Sequence, residues 1–110
     1  MSNLYYTEPM ITLAEWIRDH SMGGRVFFCN SGTEATLFAM RGARAFTGRD
    51  VIVKIDGGYN GSHDAAYVNV SPDLSDDELP RTVVPRGIPA CTGDGIIPVP
   101  FNDLDAMETI

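Results

Sequence analysis

The 110-residue chain fits one domain of ordinary size, and its 44% hydrophobic fraction and mean hydropathy of −0.06 describe a globular composition, not a disordered one. A net charge of −7 argues against a nucleic-acid backbone as partner; it leaves a small phosphate ligand open, because charges beyond a Debye length of about 8 Å are largely screened. Cys29 and Cys91 form no CxxC pattern, no apolar run nears the ~20 residues that span a bilayer, and no basic-then-apolar leader opens the chain, so a reduced, cytoplasmic protein with no membrane partner is expected.

Residues 1–8 show no clear period. Pro9 suits the first turn of a helix. Met10, Leu13, Ala14 and Ile17 then recur at helical spacing, with Trp16 flanking the stripe. This helix should end between His20 and Gly24, where Met22-Gly23-Gly24 breaks the pattern, and its role is packing. His20 lies near its C-terminal end without a supporting ligand cluster. Arg25 to Cys29 is a short continuous apolar run, which predicts a strand buried on both faces of a parallel sheet.

Asn30-Ser31-Gly32-Thr33-Glu34-Ala35 follows that run and opens the next helix. The first N–H groups of a helix have no intrahelical partner, and the dipole adds partial positive charge there. A phosphate gains both terms. Gly32 lets backbone approach closely, and Ser31 and Thr33 add hydroxyl donors. The plainer alternative is an N-cap, with Ser31 or Thr33 satisfying the helix's own N–H groups. The helix is predicted over Ser31 to Thr47, with Ala35, Phe38, Ala39, Gly42, Ala43 and Phe46 as the small, apolar face that approaches a sheet. Gly48 is its expected left-handed C-cap. Val51 to Ile55 reads as a second buried strand. Residues 25–55 thus predict strand, helix, strand, and parallel strands in an α/β fold.

Asp56 to Asp64 reads as a loop at the carboxyl end of a strand, where open α/β sheets gather ligands. The Asn30–Ala35 junction lies at the same end, so the two loops are candidates for one site. The alternative is a hairpin turn at Asn60-Gly61. Ala65 to Val70 is expected as a third strand. Ser71 to Pro89 carries four prolines and an acidic run, and reads as a long exposed loop, mobile over 72–89, with one helical turn at Ser75–Leu79. Ile96-Ile97-Pro98-Val99 is another short strand, and Asn102 or Asp103 caps a helix starting at Leu104. No stop signal precedes Ile110, so the expectation is a partial domain over 1–110. The sequons at Asn60-Gly61-Ser62 and Asn69-Val70-Ser71 are read as chance.

Taken together, these residues resemble the class III pyridoxal-phosphate-dependent aminotransferases, most of all their aminomutase members. Arg25 to Ala35 looks like that family's strand and phosphate loop. Arg44-Ala45-Phe46-Thr47-Gly48-Arg49-Asp50 resembles its helix end, and Lys54-Ile55-Asp56-Gly57-Gly58-Tyr59-Asn60-Gly61 its next strand and aromatic loop. Pro100-Phe101-Asn102-Asp103-Leu104 is similar to a later segment. The likeness is strong over 25–64 and poor between 72 and 85.

The resemblance implies part of the large domain of a type I pyridoxal-phosphate transferase fold, a mixed, mostly parallel sheet flanked by helices. It implies pyridoxal 5'-phosphate as cofactor, with Ser31, Gly32 and Thr33 on its phosphate and Tyr59 stacked on its ring. It implies a small amino-acid or amino-aldehyde substrate, a homodimeric parent, and later strands lying between Arg25–Cys29 and Val51–Ile55. Where the family usually carries His, this chain has Asn60, which keeps hydrogen bonding but does not titrate near neutral pH. The family's Schiff-base lysine and pyridinium-pairing acid lie downstream of this region; Lys54, the single lysine here, matches a non-catalytic one. This chain alone is therefore expected to bind cofactor weakly and not turn over. A different class remains open, a small non-catalytic α/β module holding a phosphate-bearing ligand at the same helix N-terminus. A Walker-type site is excluded by the missing Gly-Lys-Ser/Thr core, and the spacing of His20, His63, Cys29 and Cys91 does not suit zinc.

Overall fold

The computed structural model describes residues 5–74, 76 and 79–110, and forms two compact units, Met1–Ser31 and Gly32–Ile110. The first unit holds helix α1 (Glu8–His20), which begins one residue before Pro9 and leaves the helical conformation at Ser21. Positive φ angles at Gly23 and Gly24, 76° and 86°, carry the chain onward. Met10, Ala14 and Ile17 are half-buried, as the stripe predicts, while Leu13 and Trp16 are exposed. The Trp16 ring stacks on His20 with centroids 4.4 Å apart.

Arg25–Cys29 is not a strand. Hydrophobic content marks a segment fit for a sheet interior, but a strand exists only where a neighbour supplies the ladder. Among the described residues, the one ladder joins two later segments. Of the predicted strand-helix-strand unit over 25–55, the helix and the second strand stand, the first strand does not, and the parallel partner of the second comes from Ile96–Val99.

The second unit opens with α2 (Gly32–Thr47). Gly48 caps it in the left-handed region, φ 66°, and its N–H donates to Arg44 O at 2.8 Å. Strand β1 (Ile52–Ile55) pairs in parallel with β2 (Ile96–Val99), Ile52 opposite Ile96 and Ile55 opposite Val99. Pro98 lacks an N–H, which suits a strand with one ladder. The crossover contains a short helix α3 (Asp64–Tyr67) and a 3-10 turn at Ala90–Gly95, and α4 (Leu104–Thr109) follows β2. Asp103, not Asn102, caps α4, accepting from the Ala106 N–H at 3.0 Å.

Ala65–Val70 is thus not a strand, and the hairpin alternative falls with it. A short, mostly apolar run is ambiguous between strand and helix, and a cap decides this one. The His63 side chain accepts from the Ala66 N–H, and Asp64 sits in the first turn. Asn69, at φ 51°, ends the run. Ser75, Asp77 and Glu78 of the turn predicted at Ser75–Leu79 lie outside the described residues.

Two burial expectations also change. β1 is not buried on both faces, since Val53 is exposed and only Lys54 is fully interior. On α2, the half-buried positions are Thr33, Glu34, Thr36, Leu37, Met40 and Arg44. The predicted Ala35–Phe38–Ala39–Gly42–Ala43–Phe46 face is exposed. That face is shaped for a sheet, and the two strands present do not cover it. The core of this unit is small: Ala66, Val68, Ile96, Val99 and Ala106, with Lys54 and Asn69 among them.

Candidate functional site

The site is built where the first turn of α2 meets the loop after β1. α2 is long enough, at 16 residues, for its dipole and unpaired first N–H groups to matter. A Cβ placed on Gly32 would meet nothing within 4 Å, so the backbone there faces open space. Ser31 precedes it in the chain as the last residue of the first unit.

The two loops expected at one site touch at Thr33 and Ser62. The Ser62 N–H donates to Thr33 Oγ1 at 3.1 Å. Gly61 is buried, with φ 105°, and a Cβ there would lie 2.9 Å from Thr36 Oγ1 and 3.0 Å from Thr33 Cα. Only glycine permits that approach. The Thr36 hydroxyl lies within reach of the Gly32 and Thr33 carbonyls, 3.0 and 3.1 Å, and of His63 Nε2 at 3.3 Å.

Tyr59 stands at the exposed rim of this loop, 63% exposed, its phenol 2.8 Å from Ser62 Oγ. Asn60 is exposed and makes a long 3.4 Å bond to Gly58 O, so it is near the turn of α2 in sequence pattern but not bonded to it. Sequence reasoning passed over Ser62 and His63. Their signal is positional: both follow the glycine that makes the close approach.

His63 has both ring nitrogens engaged. Nδ1 accepts from the Ala66 N–H at 3.3 Å, which leaves Nε2–H to donate to Thr36 Oγ1. Burial holds its pKa below the ordinary value; Asp64 opposes this, and Arg41 and Arg44 add to it. A cleft of about 410 Å³ lies beside α2, lined by Arg41, Arg44, His63 and Thr92 among others, and none of the sequence-predicted site residues lines it.

Lys54 is 4% exposed, and its Nζ donates to Val68 O. Burial lowers its pKa, with Asp56 acting the other way. Its ammonium is committed to the interior. Among the described residues, no group of three or more His, Cys, Asp or Glu is arranged to hold a metal, and no helix is long and apolar enough to cross a membrane.

The donor set fits an anion carrying an aromatic ring. The open backbone at Gly32 gives space, Thr33 Oγ1 has its hydroxyl hydrogen to donate, and the Tyr59 ring offers a face. A family model described as aminotransferase class-III matches residues 1–80, and the chain belongs to that family. Its fold is an α/β part of the large domain of a type I pyridoxal-phosphate transferase. Among particular proteins, it is 48% identical over 105 residues to glutamate-1-semialdehyde 2,1-aminomutase of Methanothermobacter thermautotrophicus, covering 94% of this chain and 24% of that one. It is 40% identical to the aminomutase of Aeropyrum pernix over 104 residues, again 94% of this chain and 24% of that one. An omega-transaminase structure from Sphaerobacter thermophilus superposes with a TM-score of 0.84 at 40% identity, over 94% of this chain and 25% of that one. A transaminase with PLP bound gives 0.80 at 34% identity, over 96% of this chain and 24% of that one. The chain thus spans about a quarter of the length of the curated relatives it matches.

Proposed function

We propose that this chain supplies the phosphate-binding and ring-stacking loops of a pyridoxal-phosphate-dependent aminotransferase or aminomutase of the glutamate-1-semialdehyde type. The observation that carries this is the Ser62–Thr33 bond, which ties the aromatic loop to the N-terminus of α2 in a class III chain. When bound, pyridoxal 5'-phosphate supplies the electron sink that lets an amino group be moved.

The residues of this chain bind and orient. The Gly32 and Thr33 N–H groups and the Ser31 and Thr33 hydroxyls hold the phosphate, each charge-assisted bond contributing about 1.5–3 kcal/mol. Tyr59 lies against one ring face, adding about 0.5–1.5 kcal/mol beyond buried area. Asn60 is a neutral polar neighbour of the ring. Lys54 takes no part, because its ammonium is buried against Val68 O. The Schiff-base lysine belongs to sequence beyond these residues, so residues 1–110 alone do not turn over.

The substrate is a small amino acid or amino-aldehyde, and the parent is a cytoplasmic homodimer. The free thiols of Cys29 and Cys91 suit a reducing compartment. The test is cofactor retention in the whole protein. Thr33→Val and Tyr59→Ala should each release cofactor on dialysis, about tenfold more readily than the unaltered protein, given one lost charge-assisted bond or stacking face. Unchanged retention in both would remove the assignment. Supplying glutamate-1-semialdehyde alone, against an amino acid with a separate keto acid, distinguishes mutase from intermolecular transfer.

A further inference from the structure

Ser62 is given no contact with the cofactor above, yet it is joined to both halves of the cradle. Its N–H donates to Thr33 Oγ1 at 3.1 Å, and its hydroxyl lies 2.8 Å from the Tyr59 phenol. We propose that Ser62 is a positioning residue for the cofactor, aligning the phosphate donor Thr33 and the ring-stacking Tyr59 before the ligand arrives. The inference rests on the reading of those two residues as cofactor contacts.

On Thr33, the Ser62 N–H occupies an acceptor lone pair of the hydroxyl. The hydroxyl hydrogen is thereby left for another acceptor, and a phosphate oxygen is one. On Tyr59, the ring is 63% exposed, and its phenol is tied to Ser62 Oγ. An exposed ring without that tie samples several rotamers, and binding must then meet the cost of ordering it. The anchor for Ser62 itself is Gly61, whose close approach to Thr33 Cα and Thr36 Oγ1 fixes where the next residue begins.

The two ties are separable, since one uses the backbone of Ser62 and the other its side chain. Ser62→Ala removes only the Tyr59 tie and keeps the N–H on Thr33. In the whole protein stripped of cofactor, Ser62→Ala should raise the Kd for pyridoxal 5'-phosphate about three- to tenfold, the usual range for one hydrogen bond. Its affinity for inorganic phosphate and its Tm should be unchanged. Tyr59→Phe should reproduce that loss, the double variant should add nothing to it, and Ser62→Thr should restore binding. An unchanged Kd in Ser62→Ala, with Thr33→Val still weakening both ligands, would overturn the role of Ser62 and leave the site intact. A parallel fall in Tm and in phosphate affinity would also overturn it, as a general structural defect. Full retention of cofactor by Thr33→Val and Tyr59→Ala would instead overturn the underlying site.

Discussion

The side-chain amide of Asn69 donates to Asp56 Oδ1 at 2.6 Å, linking the residue that ends α3's run to the first residue after β1. Asn69 is 1% exposed and sits at φ 51°. Its Nδ2 also donates to Arg81 O at 2.8 Å, and its Oδ1 accepts from the Val83 N–H at 2.6 Å. Its backbone N–H donates to Val83 O, and its carbonyl accepts from the Gly57 N–H. Asp56 Oδ2 accepts from the Asp73 N–H at 2.9 Å. One buried amide thus joins the start of the aromatic loop to the middle of the Pro-rich segment.

Asn69→Ala should therefore be costly. It leaves part-buried groups on Asp56, Arg81 and Val83 without this partner and places a Cβ-bearing residue without side-chain compensation in the left-handed region. A loss of about 2 kcal/mol is expected in denaturant unfolding of the whole protein, from the lost hydrogen bonds and the strained backbone together. Asn69→Gly relieves the backbone but not the hydrogen bonds, and should recover only about 1 kcal/mol of that. Equal stability of all three proteins would refute the hub.

His63 makes a pH-dependent contribution. Its folded pKa is lowered, so the folded state prefers the neutral imidazole, and the unfolded state binds the proton first as pH falls. Its stabilisation is complete above the ordinary value of 6.5 and is lost as pH drops below it through the lowered folded value. Protonation puts a donor on Nδ1 opposite the Ala66 N–H, which removes the cap of α3. His63→Asn keeps a cap acceptor without a titration. Unfolding midpoints measured from pH 7.5 to 5 should fall more steeply for the unaltered protein than for His63→Asn; parallel curves would exclude the effect.

The legible parts of this chain were those with local chemistry. Pro9, Gly48 and Asp103 mark helix ends through their own backbones and side chains, and those helices stand where expected. The meeting of the Asn30–Ala35 and Asp56–Asp64 loops was expected from two strand ends, and of those two strands only the one before Asp56 exists. What failed depends on distant partners. Arg25–Cys29 has the composition of a strand but no ladder, and the alanine-rich face of α2 has the shape for a sheet that these two strands do not provide. The Thr33–Ser62 bond spans 29 residues in sequence, and no local pattern encodes it.

Gly61→Ala tests the contact between the loop and α2. The added Cβ would lie 2.9 Å from Thr36 Oγ1 and 3.0 Å from Thr33 Cα, at a φ of 105° that side-chain-bearing residues rarely adopt. The threonine hydroxyl can turn away, but the α2 backbone cannot move without shifting its first turn. A destabilisation of roughly 1–3 kcal/mol is expected from backbone strain. Cofactor should be lost on desalting, read by its absorbance. Normal stability and retention would show that the approach is not required.

Lys54→Met separates a structural lysine from a catalytic one. Methionine replaces the stem with an unbranched side chain, but it leaves Val68 O without its donor. Stability should fall by about 1–3 kcal/mol, the cost of one unsatisfied buried acceptor. Cofactor attachment should persist, because Nζ is committed inside the fold. Borohydride reduction of the whole protein, followed by peptide mapping, should place the cofactor on a lysine other than Lys54. Cofactor fixed on Lys54 would overturn the assignment.

The isolated 110-residue chain should be marginally stable. Among the described residues, the buried hydrophobic core is Ala66, Val68, Ile96, Val99 and Ala106, and two of these five are alanines. Burial of a large aliphatic side chain contributes about 1.5–3 kcal/mol, so three of them offset the ordering of only a few residues at about 1–2 kcal/mol each. Phe46 is 92% exposed and Phe38 42%, on the same open face of α2, and Val51 and Val53 are half-exposed beside β1. A face of that kind next to a two-stranded sheet promotes association with other chains. Circular dichroism should record a broad thermal transition, and light scattering should rise with concentration. A sharp, cooperative, concentration-independent melt of a monomer would be incompatible with so small a core.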